Sequence, residues 1–265
     1  LWALDAIATT TAGQAIRQAL RDPTPEVRAQ ASRSIGIRRD EAALEDLKTL
    51  LSDPHPLVRR EVAIALGRIG QSSATAALLA ALNESDEFAA WSIRHALRVI
   101  GAWDAKALAA ALADPSRQEQ ALRLTEDVWA VPVVEALVES LSTLDSAAVR
   151  TRVVANLAGQ YRKPAPWTGA WFGTNPLAGE FPRKTEPWDP AGMERVFAGL
   201  RLASSDEQPS VRREAYLGLA NVGLEGLSPL RDALRKETEE GNLVVLCAAV
   251  ASGGDTAAAP LLDAV

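Results

Sequence analysis

The chain has 265 residues, 48% hydrophobic and 23% charged, with 28 Lys and Arg against 34 Asp and Glu for a net charge of −6. These are the proportions of an ordinary globular protein. No apolar run reaches membrane-spanning length, the acidic balance argues against a general nucleic-acid binder, and one cysteine excludes an internal disulfide.

In chain order, Leu1–Ala8 reads as the end of an incomplete helix pair. Five pairs follow: Gly13–Arg21 with Pro25–Gly36, Glu41–Leu51 with Pro56–Ile69, Ser73–Leu82 with Glu87–Ile100, Asp104–Ala113 with Ser116–Asp127, and Val131–Leu141 with Ala147–Gly159. After an interruption come Ala191–Ala203 with Pro209–Val222 and Leu224–Lys236 with Asn242–Ala251, and Asp255–Ala264 begins another. Such ends lack the polar caps of a finished array, so a fragment of a longer chain is expected.

The best-formed unit is Asp53–Gly70, DPHPLVRREVAIALGRIG. Asp53 is an N-cap residue type, and Pro54 and Pro56 suit a first turn, where a missing N–H costs little. Val58, Val62, Ala65, Leu66 and Ile69 recur at spacings of three and four, an apolar helical stripe. Gly67 and Gly70 suit close packing or a helix end. The unit recurs at Asp22–Gly36 and Asp206–Gly223, and each copy sets an acid six residues before an arginine: Asp22 and Arg28, Asp53 and Arg59, Asp206 and Arg212. Acid–base spacing repeated in this way is the mark of a structural ion-pair ladder between neighbours.

Ala3-Leu4, Ser34-Ile35, Ala65-Leu66 and Ala96-Leu97 step by 31 residues, and Leu97 leads to Leu157 in two steps of 30. Leu219 follows only 62 residues later, so extra chain lies between. Paired helices at this period stack as an α-solenoid. The residues resemble HEAT repeats of the short bacterial type, the PBS-lyase HEAT-like repeats, whose signature D-x-x-x-x-V-R-x-x-A-x-x-A-L-G is matched closely by Asp53–Gly67. The resemblance implies an all-α, right-handed solenoid of about seven helix pairs. The expected organisation is a single solenoid domain: repeats over 1–160, a Trp- and Pro-rich inserted loop over 161–190 packed on the solenoid, and repeats again over 191–265.

The insertion holds six of the chain's 15 prolines and six of its aromatic residues. Disordered linkers are poor in aromatics, so it is expected to fold back, with Trp167, Trp171 and Trp188 as a clasp over the neighbouring repeats. Binding is the second reading, since Trp167, Trp171, Phe172 and Trp188 with Arg183 suit carbohydrate stacking or a protein partner. The run Trp167–Pro176 with Pro182-Arg183-Lys184 and Trp188 resembles a segment of large exported proteins of planctomycete type, which join a sugar-dehydrogenase-like β-propeller, HEAT-like repeats and a c-type cytochrome domain. That resemblance implies a periplasmic or cell-surface location, and haem c elsewhere in the parent chain. No cofactor is expected in residues 1–265, which hold no CxxCH.

The third unit departs from the others: Arg59 and Arg60 are matched by Ala90 and Trp91, and Ala63 and Ile64 by Arg94 and His95. Spacings of three and four place Trp91, Arg94 and His95 on one helix face, either a ligand patch or a bulky packing substitution. A concave face including Arg60, Ala63, Arg94, Arg213 and Tyr216 is expected. Cys247, in the apolar run LVVLCAAV, is expected in the core, and His55 is expected to be exposed. Two histidines without HExxH or CxxC make no metal site, and no catalytic set is evident. The leading reading is a non-catalytic interaction scaffold within a larger redox or carbohydrate-processing protein, bound to a protein partner or to other domains of its own chain. The alternative is a HEAT-like enzyme, a chromophore lyase or a DNA base glycosylase, the latter drawing on Trp91, Arg94, His95, Trp103 and Asp104.

Overall fold

The computed structural model describes Ile7, residues 9–166 and residues 185–254. Among the described residues the chain is all-α apart from one short strand pair, and it forms two compact units, Leu1–Thr125 and Glu126–Val265. In each unit the helices pair antiparallel and the pairs stack as an α-solenoid.

The first unit contains α1 (Thr10–Gln18), α2 (Pro25–Arg38), α3 (Leu44–Leu50), α4 (Pro56–Ile69), α5 (Thr75–Ala80), α6 (Glu87–Ile100), α7 (Ala105–Ala113) and α8 (Gln118–Thr125). The second contains α9 (Val131–Thr143), α10 (Ala147–Gly159), α11 (Pro190–Ala203), α12 (Pro209–Val222), α13 (Leu224–Leu234) and α14 (Glu240–Ser252). The helices α4, α6, α10 and α12 have the boundaries read from the sequence. The first helices of the early pairs are shorter than expected, because 3₁₀ turns at Ala19–Arg21, Glu41–Ala43, Ser72–Ala74 and Ala81–Asn83 take up their ends. The expected helices at Leu1–Ala8 and Asp255–Ala264 lie essentially outside the described residues.

The second helices carry the array. The α2, α4 and α6 helices pack in sequence, as do α10, α12 and α14. In α4 the predicted stripe is the core side, with Val58, Val62, Ala65 and Leu66 fully buried. Gly67 serves close packing and Gly70 ends the helix in the left-handed region at φ 77°. Gly36 and Gly67 form a seam: a Cβ on Gly36 would lie 2.8 Å from the Ala65 Cα, and one on Gly67 3.1 Å from the Ala96 Cα. Only the missing side chains let α2, α4 and α6 approach so closely.

Candidate interaction surface

The acids of the repeated motif lie two residues before the N-cap rather than at it. Asp53 Oδ1 accepts from the His55 amide at 2.9 Å, and His55 is itself the N-cap of α4, its Nδ1 accepting from the Leu57 amide. His55 is therefore half-buried, not exposed as expected. Asp22, Glu84, Asp206 and Glu237 accept from amides in the same way before α2, α6, α12 and α14.

Each motif arginine reaches the acid of the following repeat. Arg28 donates to Asp53 at 2.7 and 2.9 Å, Arg59 to Glu84 at 2.7 Å, and Arg212 to Glu237 at 2.8 and 2.7 Å. The third nitrogen turns back to the main chain: Arg28 Nη1 donates to the carbonyls of Asp22 and Pro23, and Arg59 Nη1 to those of Asp53 and Pro54. Asp22 thus meets Arg28 through its carbonyl, not its carboxylate. Arg150 makes the same fork to Asp206 at 2.8 and 3.0 Å, spanning 56 positions where the other pairs span 25. The pairing is kept across a longer stretch of chain than in the other rungs.

These carboxylates are held low. Burial would raise Asp53, Glu84 and Asp206, but the guanidinium of Arg28, Arg59 or Arg150 and the adjoining amides outweigh it, so each lies below the usual carboxylate range. Glu237 is held lowest, by Arg212 first, with the Glu239 amide, the Tyr216 hydroxyl and Asn242 assisting. A carboxyl depressed in the folded state stabilises above its unfolded value and loses that contribution as pH falls. Stability is therefore expected to be flat above about pH 5 and to fall steeply below about pH 4. Urea unfolding from pH 7 to pH 3 checks this, and Glu84→Gln should give a less steep acid limb.

The ladder of the first unit stops at Glu84, because the next motif position is Ala90. There α6 presents Phe88, Trp91 and Val99, which are 73%, 55% and 55% exposed. The Trp91 and His95 rings stack with centroids 4.9 Å apart and planes 5° from parallel, so the indole lies on its neighbour instead of extending freely. Arg94 does not join them. It matches the fully buried Ala63 of α4, faces the core side, is 8% exposed, and donates to Gln120 of α8. The expected three-residue patch is a two-ring stack extended by Phe88 and Val99. Along the same face, α4 presents Leu57, Arg60, Ile64 and Arg68, and α2 presents Arg33 and Ile37. Ala63 and Tyr216 are too buried to line a surface, Tyr216 because its hydroxyl donates to Glu237 at 2.9 Å.

Around the insertion, Lys163–Pro164 and Thr185–Glu186 form an antiparallel neck, closed by an ion pair between Lys163 and Glu186. Trp129 Nε1 donates to the Arg162 carbonyl at 3.1 Å and Trp188 Nε1 to the Gln160 carbonyl at 2.8 Å. Trp188 also lies on Gly192, where a Cβ would fall 2.0 Å from the indole. Trp167, Trp171, Phe172 and Arg183 lie outside the described residues. Trp188→Ala is expected to cost about 2–3 kcal/mol in urea unfolding, and Gly192→Val to act in the same direction by expelling the ring. Cys247 is half-buried instead of in the core. Its run is apolar all round, and the side that packs is Leu246, Ala249 and Val250. Among the described residues no His, Cys, Asp and Glu group is placed to hold a metal ion, and no helix is long and apolar enough to cross a membrane.

Residues 13–98 match the family profile for HEAT repeats. That segment carries HEAT repeats. The match ends at α6, so the HEAT segment contains both ladder steps of the first unit and the Trp91–His95 stack. Among solved structures, human deoxyhypusine hydroxylase in complex with glycerol aligns over 100% of this chain and 88% of its own, at 19% identity and TM-score 0.38. The complex of CpcE and CpcF of phycocyanin lyase from Nostoc sp. aligns over 95% and 94%, at 15% identity and TM-score 0.35. A designed armadillo repeat protein in complex with the peptide (KR)4 aligns over 91% and 98%, at 15% identity and TM-score 0.34. No curated protein matches the sequence.

Proposed function

We propose that this chain is a non-catalytic protein-interaction module whose docking surface is the exposed face of α2, α4 and α6, centred on Trp91 and His95. The observation that carries this is the run of Phe88, Trp91, His95 and Val99 along one side of α6, where large apolar groups stand in water. Clustered exposure of this kind marks interaction sites. The charged groups support the same reading. The ladder arginines and carboxylates are satisfied by each other and by main chain, Asp104 serves as the N-cap of α7, and Arg94 is buried. A glycosylase-like groove would need the last two exposed to a substrate. The resemblance of the Trp-rich segment supports a further placement, inside a larger exported protein with redox or carbohydrate-processing domains. A protein partner could then be one of those domains, and Trp188 with its neighbours a carbohydrate contact. Haem staining and intact mass of the native protein test that placement.

The surface is tested with a photo-crosslinking amino acid at position 91 and, as control, at Glu45 on α3. Specific capture of one protein from position 91, competed by the unmodified chain, is expected. Added as the competitor, the Trp91→Ala chain should fail to displace the captured protein, and its melting temperature should change little, since exposed substitutions cost about 0.5 kcal/mol or less. Equal capture at both positions, or a strongly lowered melting temperature in Trp91→Ala, would overturn the proposal.

A further inference from the structure

We infer that the face of α2, α4 and α6 binds an extended acidic peptide segment of a partner protein, with one apolar side chain of that segment set beside Trp91. This rests on the docking reading above and names its partner by chemistry. The whole chain is acidic, at net −6, yet this face is not. Arg33 and Arg68 are exposed and make no ion pair among the described residues, and Arg60 stands between them, paired at 2.8 Å to the largely buried Glu61. The one exposed acid on the face that makes no ion pair among the described residues is Glu26, at its edge on the first turn of α2.

The basic groups alternate with apolar ones across the helices. Arg33 is matched one repeat on by Ile64 and then by His95, and Ile37 by Arg68 and then by Val99. An extended chain crossing the rows meets cation and apolar surface in turn, which suits a segment that alternates carboxylates with aliphatic or aromatic residues. The glycine–alanine seam brings the three helices close. Two steps of about 8–10 Å are spanned by roughly five or six extended residues. The Trp91–His95 stack ends this track as a preorganised flat platform. A nucleic-acid strand fits less well, because two unpaired arginines neutralise few phosphates and the aliphatic rows offer its backbone nothing.

The test uses fluorescence anisotropy of the full chain with labelled peptides of about ten residues, long enough to cross the face. One alternates Asp and Glu with Leu and carries a single Phe, and two counterparts carry Gln or Lys in place of the acids. A single-stranded oligonucleotide is the fourth probe. The acidic peptide is expected to bind, weaken with salt, and exceed the Gln form by about tenfold or more, with no binding of the Lys form. Trp91→Ala, and Arg33→Glu with Arg68→Glu, should each weaken it by about tenfold, while Glu45→Gln leaves it unchanged. All the substituted positions are on the surface, and melting curves confirm the fold. Equal binding of the Gln form, tighter binding of the oligonucleotide, or no binding of any probe would overturn the inference. Specific capture at position 91 of a partner lacking an acidic segment would leave the interaction reading standing without it.

Discussion

Arg150→Ala is expected to destabilise the protein by about 3–5 kcal/mol, the cost of leaving a buried charge without its partner. Arg150 is 6% exposed and satisfies four acceptors: both oxygens of Asp206 and the carbonyls of Leu144 and Asp145. Truncation leaves the Asp206 carboxylate, whose side chain is 13% exposed, with the Gln208 amide and the Coulombic field of Arg212 but no cation hydrogen-bonded to it. It also cuts the ladder rung between α10 and α12. Arg150→Lys should recover little, because an ammonium cannot fork to the carboxylate while reaching both carbonyls. Arg150→Met with Asp206→Leu should recover most of the loss, since replacing both members of a buried pair by apolar groups is often neutral. Urea unfolding of the two single variants and the double variant measures this. A loss below about 1 kcal/mol, the range of surface pairs, would mean that the rung contributes no more than an exposed contact.

Gly36→Leu is the second large effect, at about 3 kcal/mol or more, the upper range for overpacking. The added Cβ alone would sit 2.8 Å from the Ala65 Cα and 3.0 Å from its Cβ, and the rest of the side chain meets the Arg68 stem. The neighbour is helix backbone, which moves only by separating α2 from α4. Gly159→Ala is the control, because a Cβ there meets nothing within 4 Å. It should be neutral or stabilising by up to about 1 kcal/mol, as glycine costs more backbone entropy in a helix. Separation of α2 from α4 also widens the face, so acidic-peptide affinity should fall in Gly36→Leu even where the protein remains folded.

Much of this architecture is legible in the sequence because the repeat writes it several times. The stripe of Val58, Val62, Ala65 and Leu66 places α4, and the same phase places α6, α10 and α12. The 62-residue step from Leu157 to Leu219 announces extra chain, and the Arg150–Asp206 pair spans that longer stretch. Less legible was how the charges connect. A spacing of six places Asp53 and Arg59 in one motif, but the reach of a guanidinium into the next repeat depends on packing, and so does the shift of Asp53 from N-cap to the turn before it. The α6 surface is only half legible in the sequence. Spacing alone groups Trp91, Arg94 and His95, whereas burial separates Arg94, because its position matches Ala63 on the side facing the next helix. Phe88 and Val99 belong to the same face by the register that makes Leu57 and Arg68 surface residues of α4.

The most direct test of the central claim follows the tryptophan indole N–H resonances while the protein captured at position 91 is titrated in. The Trp91 signal is expected to shift or broaden to saturation, while Trp188, hydrogen-bonded to Gln160, stays in place. A Trp91 signal that does not move while Trp188 or Trp129 responds would contradict the account and transfer the docking surface to the second unit.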